Sequence, residues 1–389
     1  MEKFNLEEQY VSSYVKNIEI SGIRKFFNKV SEYSGVISLT LGQPDFPVPE
    51  KVKAAMIKAI EDNKTTYTSN MGILELREEI SNYLSKLHIN YTPEEICITA
   101  GGSEAIFDAF TAVLNPGDKI LVPTPGYPAY ESCARLLGAS SIPYNLNEDF
   151  TLNIDEIRKV VEKEKPKVIV ISFPSNPTGG ILTKEDAENL YSIIKDNEIL
   201  AITDEIYSSL CFDKYYSIAQ FKDIKHKVIF INGFSKMFSM TGLRIGYVCA
   251  EEQYMKHILK VHQYNMSCAP SISQWAALEG LKNCLEDVEY MKNEFIKRRD
   301  YVYERLKSMD FKVNLPKGAF YIFPSIEKFN VKSEEFCEKL LVEAKVAAVP
   351  GSAFGTGGEG YFRISYAYSM EQLEEALDRM EKWLKNVTF

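Results

Sequence analysis

The stretch Ile231-Asn-Gly-Phe-Ser-Lys-Met-Phe-Ser-Met-Thr-Gly-Leu-Arg-Ile-Gly-Tyr247 sets one lysine, Lys236, among small and apolar residues, with Arg244 eight positions later. Most lysines live on solvated faces. Burial strips an ammonium of hydration, so a lysine placed this way after a strand is a candidate for a lowered pKa and for amine nucleophilic chemistry, of which Schiff-base formation is the standard example. Just upstream, 227–232 reads as a short β-rich run, and the same signature recurs outward at 96–99, 119–123, 167–173 and 199–204. Amphipathic stretches at 50–62, 73–87, 103–114 and 184–197 fit helices. Strands alternating with helices predict an α/β fold with a mainly parallel sheet.

A charged stretch at 285–309 fits one long helix linking two lobes. Beyond it the pattern returns to strands near 318–324, 347–350 and 361–366, with a helix from 370 to the end, so a smaller α+β lobe is expected. The first forty or so residues are expected to pack with that lobe. The resulting division is a large domain over 48–285 and a small domain formed by 1–47 and 286–389.

The 389 residues are 45% hydrophobic and 25% charged, enough for a large core. A formal charge of −9, with no Lys/Arg cluster, speaks against a nucleic-acid partner. The start MEKFNLEEQY is acidic where a secretion signal begins basic, and no later apolar run is long enough for a bilayer, so a cytoplasmic protein without a membrane partner is expected. Cys97, Cys133, Cys211, Cys249, Cys268, Cys284 and Cys337 form no C-x-x-C pair and read as reduced, mostly buried thiols. His88, His226, His257 and His262 stand in no metal-ligand spacing, so no metal is expected and zinc hydrolysis or a Ser/His/Asp triad has little to build on.

The residues that carry chemistry fall just past predicted strands: Gly101-Gly102-Ser103, Asn176-Pro177-Thr178-Gly179-Gly180, Asp204 and Ser235-Lys236. In an open parallel sheet that edge is where ligands bind. Gly101, Gly102 and Ser103 would leave backbone N–H groups at a helix start, which suits a phosphate and equally suits a plain turn and N-cap. Asp204 follows the apolar run 199–203 and needs a cationic or N–H partner, in a salt bridge or at a ligand that Tyr207 also faces. Arg363, in Tyr361-Phe-Arg-Ile-Ser-Tyr366, offers a planar fork to a substrate carboxylate or to a buried ion pair.

The order and spacing of Asn176-Pro-Thr-Gly, Asp204-x-x-Tyr207, Ser235-Lys236-x7-Arg244 and Arg363 resembles the class I/II aminotransferases of pyridoxal 5'-phosphate fold type I over nearly the whole chain. Ile20-Ser-Gly-Ile-Arg-Lys25, Leu41-Gly-Gln-Pro-Asp45 and His262-Gln-Tyr-Asn265 further resemble a bacterial branch often called aminotransferase A. The resemblance implies a large domain with a mainly parallel seven-stranded sheet flanked by helices. It implies a ping-pong cycle in which the cofactor alternates between pyridoxal and pyridoxamine forms while an L-amino acid gives its amino group to a 2-oxo acid, with 2-oxoglutarate the natural acceptor. Lys236 is then the Schiff-base tether and proton shuttle, and Asp204 the partner of the pyridine nitrogen. Tyr207 and Asn176 would bond the phenolic oxygen, and Tyr127, from Pro125-Gly-Tyr-Pro128, would stack on the ring. Gly101, Gly102, Ser103, Ser235 and Arg244 would hold the phosphate. Ser235 takes that role in place of a serine three residues before the lysine, where this chain has Gly233. Arg363, with Asn176 and the Gly42 backbone, would clamp the substrate α-carboxylate. Tyr67 resembles a tyrosine that reaches the phosphate from a neighbouring subunit, which implies a homodimer with shared active sites.

The donors that suit relatives of this branch are aspartate, aromatic amino acids and N-acetyl-LL-diaminopimelate. No motif names the residue that reads the substrate side chain; Arg24 is a candidate for a distal carboxylate and also fits a solvated helix charge. The same fold and cofactor serve C–S lyases, because breaking any α-bond uses one electron sink. A non-enzymatic regulator that binds the cofactor is a further alternative, although such proteins usually add a basic DNA-binding segment.

Overall fold

The computed structural model describes residues 9–389; the part of the small-domain expectation that falls on 1–8 lies outside the described residues. After a two-residue strand, β1 (Ile37–Ser38), the chain builds one large sheet. Its strands are β2 (Ile96–Thr99), β3 (Lys119–Thr124), β4 (Ser140–Asn145), β5 (Val168–Ser172), β6 (Leu200–Asp204), β7 (Val228–Gly233) and β8 (Gly246–Cys249). Their order across the sheet is β2-β8-β7-β6-β5-β3-β4. β8 runs opposite to the other six strands and pairs antiparallel with β2 and β7; the pairs from β7 to β4 are parallel. The expected mainly parallel seven-stranded sheet is present.

Central strands are buried on both faces, as helices on either side require. Alternation along β5 sorts its residues between two cores. Ile169 and Ile171 join Leu76, Ile80 and Leu84 of the Leu74–Lys86 helix, while Val168 and Val170 join Ala105, Ile106 and Ala109 of the Gly102–Val113 helix. Two strands of this sheet escaped the sequence reading. β4 is an edge strand with exposed positions and Pro143, which only an edge tolerates; β8 has four residues and hides in the glycine-containing stretch after Arg244. Helices Ala129–Leu136, Ile154–Glu164, Glu252–Asn265 and Ser271–Asn283 were also not anticipated. The last is buried over Ser273, Gln274, Ala276, Ala277, Leu278, Gly280 and Leu281, and such broad burial weakens the amphipathic signal.

The Leu285–Ser308 helix matches the predicted long helix and buries the stripe Val288, Met291, Phe295, Arg298, Val302 and Leu306. Beyond it lie β9 (Tyr321–Ile322), β10 (Val346–Ala347), β11 (Val349–Pro350) and β12 (Phe362–Ser365). β12 pairs antiparallel with β11 and β9, and β10 pairs in parallel with β1. The strand expected over 318–324 is only two residues long. Its first residues bond across to the large sheet's loops instead, the Gly318 amide to the Gly179 carbonyl and the Ala319 amide to the Leu210 carbonyl. Helices Ser333–Ala344 and Met370–Leu384 cover this part, around Phe336, Phe362 and Trp383. No helix among the described residues is long and apolar enough to cross a membrane.

Candidate active site

Parallel register lines up Ser172 at the end of β5 with Asp204 at the end of β6, and β7 delivers the short helix Phe234–Met237 that carries Lys236. These ends open into a cleft of roughly 430 Å³. Lys236 Nζ sits inside it and donates to the Gly42 carbonyl at 2.6 Å. Burial, and then the charges of Arg244 and Arg363, push this lysine down to about 8, with Asp204 acting in the opposite sense. The amine predicted from the apolar surroundings is thus available near neutral pH.

Asp204 is buried, and burial pushes its carboxyl above the usual carboxylate range. Its partners are the Tyr130 hydroxyl, which donates to Oδ2 at 2.7 Å, and the Ile206 amide, which donates to Oδ1 at 3.2 Å. Neither is a full cation, so a cationic ligand group against Asp204 would offset the burial. Tyr207 lines the same cleft, its hydroxyl 2.7 Å from that of Tyr321.

Arg363 is 1% exposed. It donates through Nη1 to Asn176 Oδ1 at 2.8 Å and through Nη2 to the Thr40 carbonyl at 2.5 Å, and its guanidinium lies 4.4 Å from the Tyr321 ring centroid. It meets no carboxylate among the described residues, and its buried Nε has no partner. That removes the buried ion pair as an explanation and leaves a cation whose anion is still to come.

Arg244 closes the other end of the cleft from a left-handed backbone, φ +48°, with Nη1 donating to the Thr241 carbonyl at 2.9 Å. It packs so closely on Gly101, φ +84°, that a Cβ there would lie 2.6 Å from Nη2. Gly102 and Ser103 begin the Gly102–Val113 helix and line the cleft, as do Tyr127 and Ser235. The first amides of a helix have no intrahelical acceptor. Arg24 also lines the cleft, from the Gly22–Val30 helix. Tyr67 is not gathered in: it is 87% exposed on the surface of its own chain.

Tyr130, Tyr321, Ser172 and Thr40 belong to the site and were missed in the sequence. Tyr130 lies three positions after Tyr127, at the start of the Ala129–Leu136 helix, and was open to detection; nothing local marks Tyr321 or Thr40. In a chain of net charge −9 the cleft collects Arg24, Lys236, Arg244 and Arg363 against one acid, Asp204. That balance selects anionic ligands.

A buried lysine and an aspartate at the C-terminal edge of a parallel sheet, facing two arginines that meet no carboxylate among the described residues, suit enzymes that handle phosphorylated carbonyl cofactors and carboxylate substrates. The profile of aminotransferase class I and II matches residues 34–380, and the chain belongs to that family. It is 48% identical to a probable N-acetyl-LL-diaminopimelate aminotransferase of Bacillus subtilis (strain 168), over 96% of this chain and 95% of that protein. It is 41% identical to an aspartate aminotransferase of Pyrococcus abyssi, over 94% of this chain and 96% of the relative. The solved structure of Thermus thermophilus aspartate aminotransferase with maleate superposes with a TM-score of 0.91 at 33% identity, covering 96% of this chain and 99% of that one. The fold is that of pyridoxal 5'-phosphate fold type I, and the protein is a pyridoxal 5'-phosphate-dependent transaminase. The residues present fit the cofactor, with helix-start amides and Arg244 for its phosphate, Asp204 for a ring cation and Lys236 for its aldehyde, while Arg363, whose Nε has no partner among the described residues, suits the carboxylate of a substrate.

Proposed function

We propose specific duties for the residues of this cleft and a substrate class for the transaminase. When bound, pyridoxal 5'-phosphate supplies an aldehyde that condenses with amines and a ring that draws electrons from a substrate's α-carbon. Gly102, Ser103, Ser235 and Arg244 hold its phosphate, with Gly101 giving Arg244 its close approach and Tyr67 contributed by a second copy of the chain. Tyr127, which lines the cleft, would stack on the ring. Asp204 stabilises a protonated ring nitrogen, and Tyr130 holds the carboxylate in place. Tyr207 and Asn176 bond the phenolic oxygen.

Lys236 Nζ carries the α-proton away and returns it, a task suited to an amine with its pKa near 8. Arg363 binds the α-carboxylate of the amino acid and of the 2-oxo acid, with Asn176 and the Gly42 backbone beside it. The burial of Arg363 in the cleft with no carboxylate partner among the described residues is the observation that carries this reading. N-acetyl-LL-diaminopimelate is the first donor to test, supported by the Bacillus relative's name, followed by aspartate and aromatic amino acids, with 2-oxoglutarate as acceptor. The enzyme works as a homodimer with shared sites, and a cytoplasmic location follows the sequence reading alone.

The test is the visible spectrum of the purified protein beside Lys236→Ala. A cofactor band that requires Lys236 and is discharged by glutamate, then restored by 2-oxoglutarate, is the expected result. A protein that cannot retain the cofactor on Lys236 after reconstitution would sink the assignment.

A further inference from the structure

Directly behind the Ala100–Ser103 turn lies a buried group of charged side chains that the reaction does not use. Glu104, in the first turn of the Gly102–Val113 helix, accepts the Ala100 amide through Oε2. Its other oxygen, Oε1, lies 2.9 Å from Nδ1 of His262, a fully buried residue of the Glu252–Asn265 helix. Asp108, one turn beyond Glu104 and also fully buried, brings Oδ2 to 3.6 Å from the same nitrogen. Asn265 donates to Asp108 Oδ1 at 3.3 Å. Among the described residues, Asp108 Oδ2 and His262 Nε2 have no hydrogen-bond partner. Cys97 of β2 is the further titratable group nearby, raised by burial and by both carboxylates, and therefore a neutral thiol.

Two carboxylates at the base of an anion-binding turn work against a phosphate dianion unless a cation offsets them. His262 is that cation. Burial opposes its charge, but Asp108 and Glu104 outweigh burial and raise the ring to about 9. The Glu104 carboxylate, in turn, is attached to the backbone that leads into Gly101 and Gly102.

We propose that His262 is a positioning residue for the cofactor's phosphate: held between Glu104 and Asp108, it fixes Glu104 onto the Ala100 amide and neutralises charge behind the turn. This rests on the reading of Gly102, Ser103 and Arg244 as the phosphate's holders. Three such ligand atoms within 4.8 Å of one another also suit a metal ion, but the close Nδ1–Oε1 contact already places a proton on that line.

Full-length protein stripped of cofactor is titrated by calorimetry with pyridoxal 5'-phosphate and with pyridoxal, which shares the ring and aldehyde but lacks the phosphate. His262→Gln is expected to weaken pyridoxal 5'-phosphate by at least about tenfold, the effect of losing a unit charge near a dianion, while pyridoxal changes by less than about twofold. Adding Asp108→Asn to that variant removes one carboxylate and should recover most of the loss. Equal weakening of both ligands means a merely structural role and overturns the proposal, as does no weakening. Stoichiometric transition metal in the purified protein, lost in His262→Gln, overturns it too, because the three side chains are then ligands. If His262→Gln yields no folded protein, Asp108→Asn alone decides: tighter pyridoxal 5'-phosphate with pyridoxal unchanged supports the charge argument, and any other result overturns it. Arg244→Gln separates the two levels. If it leaves the phosphate preference intact, the phosphate reading itself fails; if it abolishes the preference while His262→Gln does not, only the role of His262 falls.

Discussion

Lys236 shows how burial turns a surface-type residue into a reagent. With its pKa brought to about 8, Nζ is mostly ammonium below that pH and has no lone pair to offer; above it the free amine dominates. The rate at which cofactor-free protein captures pyridoxal 5'-phosphate should therefore rise through about pH 8 and level off, as followed by stopped-flow absorbance; a rate still climbing at pH 10 would mean an ordinary lysine. Glu205, beside Asp204, is perturbed in the opposite direction. Burial raises it to about 7 in spite of hydrogen bonds from Ser217, Tyr215 and Thr203. Between its ordinary value of 4.5 and about 7 the folded protein holds a proton that the unfolded chain has released. Stability is therefore lost as pH rises through that window, by up to about 3 kcal/mol. Glu205→Gln keeps a neutral acceptor there, so wild type should lose more melting temperature than the variant between pH 5 and pH 8 in calorimetric scans. Equal losses would show that Glu205 does not titrate in this window.

At the scale of the element, the phosphate end depends on a turn more than on any one side chain. Gly101 needs its positive φ and its missing Cβ together, because Arg244 Nη2 fills the space a methyl group would take. Gly101→Ala should lower affinity for pyridoxal 5'-phosphate by about tenfold or more, from backbone strain of about 1 kcal/mol plus the displaced guanidinium. Far-ultraviolet circular dichroism should stay unchanged, since the Gly102–Val113 helix keeps its buried face of Ala105, Ile106, Ala109 and Phe110. Retained affinity in that variant would detach Arg244 from phosphate binding. The helix is long and regular, and so was readable; the turn before it combined two meanings, cradle or cap, that only its neighbours separate.

At the scale of the whole molecule, the cleft lies where the two parts of the chain meet. Lys236 and Asp204 come from the large sheet, whereas Arg363 and Tyr321 come from the strands after the long helix. Tyr207 and Leu210 pack into the hydrophobic cluster of that second part, among Phe295, Phe320 and Phe336. We propose the divisions at 47/48 and 285/286 as the boundaries between the large and the small domain. The exposed Tyr67 then acquires a use only in an assembly. Hybrid dimers formed by refolding Lys236→Ala chains with Tyr67→Phe chains restore one site with both residues native if Tyr67 serves the partner. Activity above that of either parent is expected; its absence would confine Tyr67 to its own subunit.

The sequence alone was enough for the strand–helix rhythm of the large sheet and the long helix, because their periods are local, and it singled out Lys236, Asp204 and Arg363 as polar groups in apolar runs; the duties expected of them, and of Asn176 and Arg244, came from the family resemblance. It missed the edge strand β4 and the helix Ser271–Asn283, whose burial no local period records. Tertiary structure alone joined Tyr130 to Asp204 across 74 positions, Tyr207 to Tyr321 across 114, and His262 to Glu104 across 158. It also decided that Arg363 has Asn176 and Thr40 for company and, among the described residues, no acid. Local sequence encodes which face of an element is buried; what it is buried against follows from sheet order and lobe docking, which are set by packing between segments far apart in the chain.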